Sequence, residues 1–145
     1  MWNTILNLFK KPVCRYPHKT ILVIYDGPID LRMAEGILQK RGYKVLCAED
    51  GERGLGIAHS AIPDLILLDY IMPGLNGVEV GQRLRIDEKT KNIPIIFLTG
   101  SDTPVNIVKY YDLGAEQFLV KPVTARTLIS QIEAIFQEQG SRQLH

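Results

Sequence analysis

Apolar residues along the chain fall into two alternating rhythms. Five short runs, Ile21–Tyr25, Lys44–Ala48, Leu65–Asp69, Ile95–Thr99 and Gln117–Val120, are rich in Ile, Val, Leu and Phe. Runs of that length and composition read as strands buried on both faces of a sheet. Between them lie stretches with apolar residues at helical spacing. These are Leu31–Lys40 (through Leu31, Ala34, Ile37 and Leu38), Gly54–Ser60, Val78–Ile86, Val105–Leu113 and Leu128–Phe136. The punctuation agrees: Pro28 suits the first turn of a helix, and Gly42 and Gly114 suit C-terminal caps. Ser101 or Asp102 ahead of Pro104 reads as an N-cap, and Thr124 as the cap of the last helix. Repeated β-α units with short connections predict one doubly wound α/β domain, a five-stranded parallel sheet in order 2-1-3-4-5.

Composition mainly excludes. With 145 residues, 46% hydrophobic and 23% charged, the chain fits one globular domain with a full core. No apolar run approaches the ~20 residues of a membrane-spanning helix. Cys14 and Cys47 form no CxxC pair, which points to a reducing, cytoplasmic compartment, and His18, His59 and His145 lack zinc-ligand spacing. Charge is uneven. Residues 1–19 hold Lys10, Lys11, Arg15 and Lys19 and no acid, leaving 13 basic against all 16 acidic side chains beyond them. A body of that sign does not bind nucleic acid through bulk electrostatics. The chain also ends without room for a helix-turn-helix, so it is expected to act by touching another protein.

The domain layout reads as a basic leader (1–19), a folded body (20–139) and a flexible tail (140–145). In the leader, Trp2, Ile5, Leu6 and Phe9 share one helical face before Lys10, Lys11 and Pro12. A segment this short is marginal as an isolated helix. Docking on its own domain or disorder ranks first, docking on a partner second and membrane contact last.

Ligands of open parallel sheets bind beyond the carboxyl ends of the strands. Those ends carry Asp26 after the first strand, Asp69 on the third, Thr99 on the fourth and Lys121 after the fifth. Two carboxylates, a hydroxyl and an ammonium in one crevice suit a hard dication and a phosphoryl group. Here the sequence resembles the receiver domains of two-component response regulators, over roughly residues 19–138. The matching pieces are Ile21-Leu22-Val23-Ile24-Tyr25-Asp26, Leu67-Leu68-Asp69-Tyr70-Ile71-Met72-Pro73-Gly74-Leu75-Asn76-Gly77, Phe97-Leu98-Thr99-Gly100, Gly114-Ala115 and Val120-Lys121-Pro122.

The resemblance implies a flavodoxin-like (βα)5 fold and a role for each residue. Asp69 is implied as phosphoacceptor, and Asp26, Asp69 and the Ile71 carbonyl as Mg²⁺ ligands. Thr99 is the implied switch hydroxyl, Lys121 the lysine that pairs with the acceptor and then the phosphoryl group, and Phe118 the aromatic switch. The Lys121-Pro122 bond is usually cis in the family. Implied partners are a sensor histidine kinase or histidine phosphotransfer protein and a downstream target protein. The face formed by the Val105–Leu113 helix, the fifth strand and the last helix would read the state or form a homodimer. Such a chain is a switch rather than an enzyme, limited to Mg²⁺-dependent self-phosphorylation and autodephosphorylation.

Two positions depart from or refine the pattern. The family usually has two adjacent acids after the first strand, and here the first is Tyr25, so weaker metal binding is expected. Asp30, one turn on, compensates only if its side chain points back. Ile71 lies beside the path of attacking water, and an apolar branched side chain there predicts a long-lived phosphoryl state. Read alone, Phe118 is a core aromatic, His59 a solvated helix residue and Cys47 a small hydrophobe. The alternative to phosphoacceptance is an adaptor that binds its partner without phosphorylation. A flavodoxin-like cofactor binder is disfavoured, because Asp26-Gly27-Pro28 lacks a phosphate cradle. An aspartyl phosphatase is disfavoured because Asp69-Tyr70-Ile71 lacks a second acid.

Overall fold

A computed structural model of the chain describes residues 15–100, 114 and 117–143. Its elements, in chain order, are β1 (Thr20–Ile24), α1 (Pro28–Arg41), β2 (Lys44–Ala48), α2 (Gly51–Ala61), β3 (Leu65–Asp69), α3 (Gly77–Ile86), β4 (Ile95–Thr99), β5 (Gln117–Val120) and α4 (Ala125–Gln143). The strands form one parallel sheet ordered β2-β1-β3-β4-β5, as the alternation predicts. The Val105–Leu113 helix and its Ser101 or Asp102 cap lie outside the described residues, as do residues 1–14 of the leader.

Period-two alternation splits the core into two layers. Ile21, Val23, Leu65, Leu67, Ile96 and Leu98 face α1 and α4, where Leu31, Leu38, Leu128, Ile132 and Phe136 meet them. Leu22, Ile24, Ile66, Leu68, Ile95 and Phe97 face α2 and α3, packing on Ala58, Val80 and Leu84. Burial on both faces holds for β1, β3 and β4. It does not hold for the edge strands β2 and β5, each paired on one side only: β2 is mostly half-buried, and in β5 Phe118 and Leu119 are half-buried and Val120 is exposed.

Helix ends follow local chemistry. Pro28 occupies the first turn of α1, and Gly42 ends it at φ 110°, the left-handed region that glycine enters without penalty. Asp50 and Asn76 cap α2 and α3 by accepting from Arg53 N at 2.8 Å and Glu79 N at 2.9 Å. Thr124 Oγ1 accepts from Thr127 N at 3.1 Å and caps α4 as expected.

One reading changes. Residues 140–143 continue α4 instead of starting a tail. His59 is a solvent-exposed residue of α2, as expected, and its Nδ1 lies 2.6 Å from Asp87 Oδ2 at the end of α3. At the end of the leader, Tyr16 meets Phe136 edge-on at 5.5 Å, and Arg15 reaches Glu133 at 3.8 Å.

Candidate functional site

The carboxyl ends of the central strands meet in register. Ile24 pairs with Leu68, so Tyr25 falls level with Asp69 and Asp26 one step beyond. Asp69 pairs with Leu98 and Thr99 pairs with Val120, which sets Thr99 and Lys121 on the other flank. The Lys121 backbone is fixed by its N–H donating to Thr99 O at 2.7 Å, and its bond to Pro122 is cis. The loop after β3 returns to its own start: Gly77 N donates to Tyr70 O at 2.9 Å. There is no room for a side chain at that contact, since a Cβ on Gly77 would sit 2.6 Å from Asp69 O and 2.9 Å from Tyr70 Cα.

Asp69 is 4% exposed, a costly place for an unpaired carboxylate. Lys121 compensates it, with Nζ donating to Asp69 Oδ1 at 2.7 Å. The same ammonium lies 5.0 Å from the centre of the Tyr25 ring, within reach of a cation–π attraction. Burial pushes the Tyr25 phenol well above its ordinary range, and the charges of Asp69 and Asp30 push it further. The phenol therefore stays neutral and brings no charge to the site.

The other expected residues lie where the sheet register puts them. Thr99 is buried at the end of β4. Asp26 is exposed in the turn after β1. Ile71, two residues beyond Asp69, is 68% exposed. Phe118 is half-buried on β5 against the α2/α3 layer. Asp30 turns back over the helix start, its Oδ2 lying 3.3 Å from where a Gly27 Cβ would be. It shares a cavity of about 360 Å³ with Tyr25, Lys121 and Pro122. A larger groove between α1 and α4, about 540 Å³ and lined by Lys40, Arg41 and Arg126 among others, contains none of these residues.

Residues 21–133 match the response regulator receiver domain family. The chain belongs to that family. This receiver is 37% identical over 115 residues to Protein PilH of Pseudomonas aeruginosa, an alignment covering 79% of this chain and 95% of PilH. It is 35% identical over 122 residues to the phosphate regulon transcriptional regulatory protein PhoB of the same organism, covering 84% of this chain and 53% of PhoB. The receiver thus spans about half the length of that transcriptional regulator. Among solved structures, the chemotaxis protein CheY4 of Vibrio cholerae is similar with TM-score 0.78 at 31% identity, covering 81% of this chain and 98% of that one. A CheY-like receiver domain protein of Methanospirillum hungatei gives TM-score 0.81 at 27% identity, covering 86% and 98%. Receiver domains are switches of two-component signalling and generally bind Mg²⁺ at their acidic site.

The donor set of this receiver fits that ion in reduced form. Mg²⁺ prefers hard oxygens and commonly takes one or two protein carboxylates, keeping several waters. Asp69 is buried at the end of β3 and Asp26 lies exposed in the turn after β1, two carboxylates of the kind that would hold such an ion. Among the described residues no cluster of three His, Cys, Asp or Glu side chains is assembled, because Tyr25 stands beside Asp26. Sequence reasoning registered Tyr25 only as a lost acid. Its contact with Lys121 joins two distant strand ends, and only the sheet order brings them together.

Proposed function

We propose that this receiver accepts a phosphoryl group on Asp69 from a histidine kinase or histidine phosphotransfer protein in the cytoplasm, and that the phosphorylated form binds a target protein. The Lys121–Asp69 pair, 2.7 Å apart at the strand ends, carries this reading. An Asp69 carboxylate oxygen attacks phosphorus, forming an acyl phosphate, while the bond from phosphorus to the donor nitrogen breaks and that nitrogen keeps the electron pair. Lys121 neutralises phosphoryl oxygens, and the Thr99 hydroxyl donates to them. Asp26, Asp69 and the Ile71 carbonyl are the groups that would hold Mg²⁺, which when bound adds positive charge at the phosphoryl oxygens. Phosphorylation brings ~2 negative charges to the sheet edge, enough to draw Thr99 and its loop inward. Phe118, β5 and α4 then transmit the change to the target-binding face. Ile71 slows hydrolysis of the acyl phosphate by crowding the attacking water.

A second reading, an adaptor that binds its partner without phosphorylation, draws on the neutral Tyr25 in place of an acid. Intact-mass measurement with phosphoramidate as donor, with and without Mg²⁺, separates the two. A phosphoryl adduct that needs Mg²⁺ and is lost in Asp69→Asn is the expected result. No adduct at any Mg²⁺ concentration would overturn phosphoacceptance and favour the adaptor.

A further inference from the structure

We propose that Tyr25 is a positioning residue that holds the Lys121 ammonium on Asp69, making the ion pair the resting state of the site and setting how readily the lysine leaves it. The proposal rests on the reading of Asp69 and Lys121 as the reactive pair. It adds a device made from this chain's own departure at position 25.

The ammonium lies 2.7 Å from a carboxylate oxygen and over an aromatic face, 5.0 Å from its centre. Both holders are held by packing and strand pairing. Tyr25 is 7% exposed, belongs to the α1/α4 layer of the core, and its N–H donates to Ala48 O at 3.1 Å. Asp69 closes β3 in full register with β4. Lys121 is itself anchored through its backbone bond to Thr99, so its side chain spans fixed points. The ring face attracts the cation through its quadrupole, and burial of the ring strips away water that would weaken the attraction. An aspartate at position 25 would instead pull the ammonium away from Asp69 as a second anion. With tyrosine there, position 25 offers the lysine a ring face in place of a second anion, and its ion pair is with Asp69.

The test is the rate at which Lys121 is acylated by limiting acetic anhydride, read by peptide mass spectrometry against the exposed Lys89 of the same molecule. For acylation the ammonium must leave Asp69 and lose its proton. The amine nitrogen then attacks the anhydride carbonyl, and acetate departs. Tyr25→Phe keeps the ring face and is expected to leave the rate within about twofold of wild type, whereas Tyr25→Leu is expected to raise it about tenfold. Because leucine leaves a space that disturbs packing, a second variant places pentafluorophenylalanine at position 25. It retains the shape with the quadrupole reversed, and the expected rate matches that of leucine. A role in packing alone predicts wild-type rates for the fluorinated ring, and that result would overturn the proposal. Asp69→Asn is the separate control. If it fails to accelerate Lys121 in any background, the ion-pair reading itself falls, whatever the Tyr25 variants do.

Discussion

Gly77 offers the sharpest check on how the loop after β3 positions Asp69. It opens α3, and its backbone lies against the end of the strand that carries Asp69. An alanine methyl there would meet Asp69 O at 2.6 Å, Tyr70 Cα at 2.9 Å and Asp69 C at 3.2 Å, where real Cβ contacts essentially never fall below 3.0 Å. All three atoms are backbone, so no rotamer change relieves the clash. Either the helix start or the end of β3 must move. Overpacking of this kind costs about 1–3 kcal/mol, while alanine returns up to about 1 kcal/mol of helix propensity. The expected net loss for Gly77→Ala is about 2 kcal/mol, a fall in Tm of about 4–8 °C for a domain of this size. Gly36, inside α1 with nothing within 4 Å of its missing Cβ, is the internal control. Gly36→Ala gains propensity without a clash, so its Tm is expected to rise by about 2–4 °C. Thermal unfolding of the two variants followed by circular dichroism decides the matter. If Gly77→Ala is stabilised like Gly36→Ala, the tight return of the loop onto Asp69 is wrong.

Two further outcomes follow from contacts away from the acidic site. Arg85 on α3 donates to Lys91 O at 3.0 Å, Ile93 O at 2.7 Å and Gly114 O at 3.2 Å. Arg85→Met is therefore expected to cost about 1–3 kcal/mol and to speed amide exchange around residues 91–93 and 114, whereas unchanged exchange would remove Arg85 as the clasp of that corner. The Cys47 thiol is pushed up to about 12 from 9.0, first by burial and then by its bond to Glu35 Oε2 at 3.2 Å. Peptide-resolved alkylation at pH 8 should find Cys47 far slower in the folded than in the urea-unfolded chain, and equal rates would contradict the contact. Because the folded value is the raised one, the contribution of Cys47 to stability is complete below pH 9.0 and is lost as pH rises toward about 12.

The sheet was legible in the sequence because three of its strands are buried on both faces, so that Ile21–Tyr25, Leu65–Asp69 and Ile95–Thr99 read as unbroken apolar runs. Helix extents were less legible. The second half of α4, beyond Phe136, has no apolar stripe to reveal it, and good helix formers with an Arg142–Glu138 pair at 2.7 Å continue it. The start of α2 hides behind Gly51, Gly54 and Gly56, a run that argues against helix; the signal available was Asp50 as its cap. Asp69, Thr99 and Lys121 were legible because strand ends converge by topology alone. The ring over Lys121 and the Arg85 clasp were not, because each joins residues far apart in sequence whose distance depends on side-chain direction.

The exchange of an acid for Tyr25 does not strip the site of negative charge. It moves charge outward. Asp30 leans over Gly27 into the cavity shared by Tyr25 and Lys121, and the absence of a side chain on Gly27 leaves room for it. A carboxylate there is exposed and water screens it, so it offers a dication less than a half-buried acid beside Asp26 would. Lys121, by contrast, keeps its full grip on Asp69 and gains a ring behind it. Under the proposed function the two changes push the same way, toward a weaker metal trap and a stronger ion pair. Phosphoryl transfer needs neutralised oxygens and fixed geometry more than it needs any single cation. A receiver with this balance relies more heavily on its lysine, so loss of Lys121 should cost it more phosphoacceptance than loss of Asp26.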